Sequence, residues 1–193
     1  YSRIGSTDDF SLVRYHSNGT LDTTFGTGGK VTTDIGSGHD YARSVTLQRD
    51  GKIVVAGLAY IGGTYDYALV RYNIDGTLDT TFGTSGKLTT AIGTSSDSGN
   101  SVTIQADGKI VVAGAISVGS FIDFGLARYN ANGTLDTSFG TGGKLTTDFS
   151  SGSDGAYSIT AQSDGRLIVG GYARIGSTDD FALVRYNADG SLD

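Results

Sequence analysis

The chain of 193 residues has no cysteine, proline, methionine or tryptophan, and all 20 of its acidic residues are aspartate. Without cysteine there is no disulfide, no zinc-thiolate site and no thiol nucleophile. Two isolated histidines, His16 and His39, cannot build a multi-histidine metal site. The loss of glutamate and methionine removes two good helix formers. With 31 glycines and abundant threonine, serine, valine, isoleucine and tyrosine, strand and turn are favoured. No apolar run approaches the roughly 18 residues of a membrane span, so no membrane insertion is expected. Basic charge is scarce too. A net charge of -6 and a pI near 4.7 leave no clustered basic face to track phosphates, and no nucleic-acid partner is expected. A chain that begins at Tyr1 and lacks methionine throughout reads as a processed form or a part of something longer.

What is present is a repeat. The pattern Leu/Ala-Val/Ala-Arg-Tyr places its arginine at Arg14, Arg71, Arg128 and Arg185, 57 residues apart each time. Residues 1–22 match residues 172–193 at 16 of 22 positions. Identical spacing over three periods means that one structural unit is being stacked. Within a unit, alternation and bounding turn residues place four strands. In the second unit these are 44–48, 52–60, 66–73 and 87–92, with Asp50-Gly51 and Asp75-Gly76 as turns and 78–87 as a loop. The run KIVVAG is apolar at consecutive positions, which predicts cover on both faces. The reading is all-β: tandem 57-residue, four-stranded antiparallel units that form β-propeller blades, with an open or filamentous stack of the same units as the alternative.

The string RYNxDGxLDTxFGxGGKxTT, followed after a loop by SVxxQxDGKIVVAG, resembles the delta-60 repeat of large bacterial surface and secreted proteins. The resemblance covers essentially the whole chain and implies a propeller-like fold with no generally established activity. Two departures are Ala91, where Asp34 and Asp148 stand in the other units, and Gly170, where Ala56 and Ala113 stand.

The unit boundaries fall at 1–35 (third and fourth strands), 36–92, 93–149 and 150–193 (first three strands), which predicts 13 strands. Propellers close at about four to eight blades, more than are present. An open array exposes strand edges that recruit other strands, so the expected partner is protein or self, by edge-strand pairing of the open ends. Because the two ends differ, such contacts give a ring or a filament.

Each candidate site has a structural alternative. Arg14, Arg71, Arg128 and Arg185 with Asp22, Asp79, Asp136 and Asp193, eight residues on, read as structural ion pairs rather than an anion-binding ring. Asn73, Asp75 and Asp79 offer calcium-type oxygen ligands at short spacing, but Asx-turn chemistry uses the same residues. Calcium is the only cofactor the sequence suggests. Phe25, Phe82 and Phe139 read as anchoring core aromatics before sugar platforms. Tyr15, Tyr72, Tyr129 and Tyr186 read as packing between units. The segments 58–65, 115–122 and 172–179 differ between copies and read as corner loops for recognition. They place Tyr60, Tyr65, Phe121, Tyr172 and Arg174 as candidates, with carbohydrate a partner to consider. The segments 37–43, 94–100 and 151–157 also differ between copies. No histidine sits beside a plausible nucleophile, so no catalytic residue is assigned. The functional expectation is a non-enzymatic structural or interaction module of an exported bacterial surface protein, extracellular or at the cell surface. The alternatives are a binder of carbohydrate or calcium and a head-to-tail filament subunit.

Overall fold

The computed structural model describes all residues from Tyr1 to Asp193 and holds 14 strands and no helix. The strands form four antiparallel sheets in chain order. The first is β1 (Ser2–Ile4), β2 (Thr7–Val13) and β3 (Lys30–Thr33). The second is β4 (Asp40–Leu47), β5 (Ile53–Ile61), β6 (Thr64–Tyr72) and β7 (Lys87–Thr90). The third is β8 (Ser98–Ile104), β9 (Ile110–Val118), β10 (Phe121–Tyr129) and β11 (Lys144–Thr147). The fourth is β12 (Asp154–Ala161), β13 (Leu167–Ile175) and β14 (Thr178–Tyr186). Each sheet is a meander, as expected of a blade, and the four sheets do not close on one another.

Two expectations need correction. The opening unit is not limited to its third and fourth strands: β1 pairs with β2 through Ser2↔Asp9, Arg3↔Asp8 and Ile4↔Thr7, so the end of a second strand is present and the count is 14 rather than 13. Nor are 58–65, 115–122 and 172–179 loops. Pairing of β5 with β6 runs out to Ile61↔Thr64, because the Gly62-Gly63 pair, at φ 61 and 111, reverses the chain in two residues. Tyr60, Tyr65, Phe121, Tyr172 and Arg174 therefore stand on strands. First strands are also longer than their alternation suggests, since a bulge between Ala42 and Ser44 breaks the period in β4. The same bulge recurs at Gly99/Ser101 and Ala156/Ser158. A glycine faces it each time. A Cβ on Gly57 would lie 2.0 Å from the Tyr41 carbonyl oxygen, and one on Gly114 1.8 Å from that of Ser98.

The core lies between sheets, not within one. Three apolar clusters each join neighbours: Phe10 and Phe25 with Val55, Val70 and Tyr72; Tyr67, Leu69 and Phe82 with Val102, Val112 and Ile116; Phe124, Leu126 and Phe139 with Ile159, Val169 and Tyr186. From Ile53 to Ala59 every residue of β5 is buried, as its unbroken apolar run requires. The first strands of successive sheets converge, with β8 against both β4 and β12. The bulge serines tie them: Ser44 Oγ accepts from Val102 N and Ser101 Oγ from Ile159 N, both at 3.2 Å.

Candidate functional site

Each junction between units is fastened by the same group of side chains. Arg71, on β6, donates from Nε to Asp79 Oδ2 at 2.7 Å and stacks over the Phe82 ring at 4.6 Å. Its Nη1 donates to the Ala131 carbonyl of the next unit. Arg128 does the same with Asp136, Phe139 and the Ala188 carbonyl, and Arg14 with Asp22, Phe25 and the Ile74 carbonyl. Each phenyl ring also abuts the turn glycine of the next unit. A Cβ on Gly133 would come within 3.0 Å of the Phe82 ring, and Gly133 itself, at φ 90, shapes the turn. Backbone bonds close the contact, Gly83 N to Asn132 O at 2.9 Å and Gly140 N to Asp189 O at 3.0 Å. Tyr72, Tyr129 and Tyr186 reach back to Thr33, Thr90 and Thr147 of the preceding unit at 2.7, 2.9 and 2.7 Å.

The electrostatics suit fastening. Burial alone pushes the Asp79 carboxyl up, but the Lys52 ammonium, the Thr81 hydroxyl and N–H, and the Arg71 charge hold it well below its usual range. Asp136 is held down in the same way by Ser138, Lys109 and Arg128 against burial. In the opening unit the Thr24 hydroxyl leads, and Asp22 falls to about 2. Tyr72, buried, is pushed up to about 12. Arg185 and Asp193 pair too.

Asn73, Asp75 and Asp79 each find partners within the fold. The Asn73 amide donates to Thr77 Oγ1 and the Leu78 carbonyl. Asp75 Oδ1 accepts from the Thr77 N–H and hydroxyl, and Asp79 Oδ2 is taken by Arg71 and Lys52. This is turn chemistry. The acidic groups that do converge were not singled out by sequence reasoning. One carboxylate oxygen from each of Asp9, Asp34 and Asp40 lies within 4.8 Å of the others, and so for Asp123, Asp148 and Asp154. At these two places three acidic side chains crowd together. At the second junction Ala91 takes the place of Asp34 and Asp148, beside Asp66 and Asp97. Asp40, Asp97 and Asp154 also clip the loop that leads into each new sheet, accepting from Ile35, Ile92 and Phe149 N at 2.6, 2.7 and 2.8 Å. Their 57-residue spacing was the available signal.

The recognition candidates divide. Tyr60 and Tyr65 meet at 5.2 Å, and Tyr65 meets Tyr41 at 6.1 Å. Phe121 stands exposed on β10. Tyr172 lies 5.6 Å from Tyr157, and Arg174 pairs with Asp179 at 2.8 Å. His16 sits 3.8 Å from Asp22, and His39 3.3 Å from Asp8. Phe181 of the last sheet is fully exposed, although its counterparts Phe10, Tyr67 and Phe124 are at 0%. Leu183 stands out beside it at 73%, where Leu69 and Leu126 are buried. At the opposite end Tyr15 is 61% exposed, where Tyr72, Tyr129 and Tyr186 are buried.

The family described as domain of unknown function (DUF5122) beta-propeller matches residues 1–25, 48–82, 105–139 and 162–193, more than half of the chain. The 48–82 match runs through β5 and β6 to Phe82, and so contains Arg71, the Asp75-Gly76 turn and Asp79. No curated protein matches the chain.

Proposed function

The chain belongs to the DUF5122 β-propeller family, and from that premise we propose that it is a non-enzymatic structural and interaction module whose end faces take a further unit of the same repeat. The observation that carries this is the exposure of Phe181 and Leu183 at positions buried in the other sheets. In those sheets the cover comes from the following unit, as where Val102, Val112 and Ile116 pack with Tyr67 and Leu69. The Tyr15 end is the other uncovered face of the array, and a contact between two such different faces is heterologous. A buried face of this kind, with the Arg-Phe-Gly fastening repeated at each junction, is continuous with three interfaces already formed within the chain.

A scaffold role is further supported by the chemistry of the histidines. Neither His16 nor His39 hydrogen-bonds a serine or threonine hydroxyl, and His39 Nδ1 accepts from the Asp8 N–H at 3.1 Å. The acidic, cysteine-free composition and the resemblance to repeats of secreted proteins support export from a bacterial cell to its surface.

The test is light scattering of the 193-residue chain over a range of concentration, beside a Phe181→Asp, Leu183→Asp variant. Mass that grows with concentration, and a variant that stays monomeric, is the expected result. A parent that stays monomeric at every concentration overturns the docking role.

A further inference from the structure

Two junctions hold carboxylates that the fold leaves without cations. Asp9 on β2, Asp34 just after β3 and Asp40 at the start of β4 each bring an oxygen within 4.8 Å of the others, and Asp123, Asp148 and Asp154 repeat the arrangement two units on. No lysine, arginine or histidine comes within ion-pair distance of any of the six. Lys87 Nζ is engaged with the Asp34 carbonyl instead, at 2.5 Å. Two members of each trio are buried, Asp9 and Asp40 in the first, Asp123 and Asp154 in the second. Like charges grouped in this way repel unless a counter-ion joins them.

Each trio also carries an oxygen that the fold does not satisfy. Asp40 Oδ2 accepts from Ile35 and Gly36 N at 2.6 and 3.2 Å, which fixes the carboxylate. At Asp97 and Asp154 the other oxygen accepts from Ser117 and Arg174 N, at 3.2 and 3.1 Å. At Asp40 the corresponding donor, Tyr60 N, bonds the His39 carbonyl, and Oδ1 is buried at 0% exposure with no partner. In the second trio the orphan is Asp123. It is 8% exposed, its carboxylate accepts no hydrogen bond, and the charges that act on it are those of Asp148 and Asp154. A buried acceptor without a donor calls for an explanation, and here each one faces two further carboxylates. The third carboxylate is not a packing requirement. Ala91 stands in its place at the second junction, where Asp97 makes the same clip. Asp34 and Asp148 are exposed, so each trio opens to solvent on one side.

We propose that Asp9, Asp34 and Asp40 hold one calcium ion, and Asp123, Asp148 and Asp154 a second, each ion bridging two units. All the donors are hard carboxylate oxygens, without the imidazole or thiolate that would favour zinc or copper. Oxygens up to 4.8 Å apart fit round calcium, whose ligands at about 2.3 to 2.6 Å span roughly 5 Å from side to side. Magnesium, with ligands at about 2.0 to 2.1 Å, asks for a tighter shell. Three carboxylates supply part of a shell of roughly six to eight oxygens, and water completes it on the exposed side. The dissociation constant is therefore expected at about 0.1 to 1 mM, the range of weak extracellular sites. Both sites lie at junctions within the chain, so the inference stands apart from docking at the end faces.

The experiment is a calorimetric titration of the full, metal-stripped chain with calcium chloride, and separately with magnesium chloride, at about 150 mM sodium chloride to screen diffuse attraction. Saturable binding at two sites is expected, with magnesium weaker by at least about tenfold. Asp34→Ala and Asp148→Ala, which install the residue of the second junction and so preserve the fold, should each remove one site, and the double variant both. Asp75→Asn, in an exposed turn, should bind as the parent does. Melting supplies a second reading. Calcium should raise the melting temperature of the parent by several degrees and leave that of the double variant unchanged. In chelator the double variant should melt no lower than the parent, since what it loses there is repulsion. No saturable binding by about 10 mM calcium, equal binding by the double variant, loss of binding in Asp75→Asn, equal affinity for magnesium, or a double variant destabilised as much in chelator as in calcium each overturns the proposal.

Discussion

Asp136 meets two cations, Arg128 Nε at 2.7 Å and Lys109 Nζ at 3.1 Å, and removing its charge leaves the buried Arg128 without a carboxylate, while Lys109 keeps Asp107 at 3.5 Å. Equilibrium unfolding of Asp136→Asn is expected to show a loss of about 3 kcal/mol at pH 7, typical when one member of a buried pair is deleted. The sign with pH follows. A carboxyl held below 3.8 in the fold contributes stability above that pH and loses it as the pH falls, so variant and parent should converge in acid. Asp123 runs the other way. Burial, with the Asp148 and Asp154 charges, pushes its carboxyl up, and its contribution declines as the pH rises. Asp148→Ala, which copies Ala91, should therefore raise the melting temperature at pH 7 and matter less at pH 4. The Arg-Asp spacing of eight was legible because both partners recur in every unit. The Asp123 grouping was not, since its members belong to two units and come together only when sheets stack.

At the scale of the strand, neighbouring glycines predict opposite outcomes. Gly170 stands where the other units have Ala56 and Ala113, and a Cβ there makes ordinary contacts, with Leu183 Cδ1 at 3.7 Å and the Ala182 carbonyl oxygen at 4.0 Å. Gly170→Ala should stabilise by about 0.5 to 1 kcal/mol, by restricting the unfolded chain. Gly171 faces the bulge of β12, where a Cβ would lie 2.0 Å from the Gly155 carbonyl oxygen. Gly171→Ala should force β12 from β13 and lower the melting temperature steeply. Thermal denaturation of the pair checks both. Strand centres such as 53–59 could be read from the sequence by their apolar runs. Strand ends could not, because exposed ends vary between copies as loops do, and a two-residue glycine turn leaves almost no loop to see. The bulge hid the start of β4 by breaking the alternation.

For the whole molecule, the energy of each unit lies largely in its neighbour, since the three apolar clusters all cross junctions. The stacking of identical units was plain from the 57-residue period. The Tyr1–Tyr41 contact, 4.8 Å between rings, was not, because it joins two units and only the packing of the first sheet on the second sets the rings side by side. The same chemical change should then cost very different amounts at equivalent positions of the repeat. The most direct measurement is denaturant unfolding of Phe124→Ala and Phe181→Ala, at a concentration where the chain is monomeric. Phe124 is buried within a junction and Phe181 stands on an uncovered face, so the first should lose about 3 to 5 kcal/mol and the second less than about 0.5 kcal/mol. Equal losses at the two positions would contradict the claim that junctions between units hold this protein together.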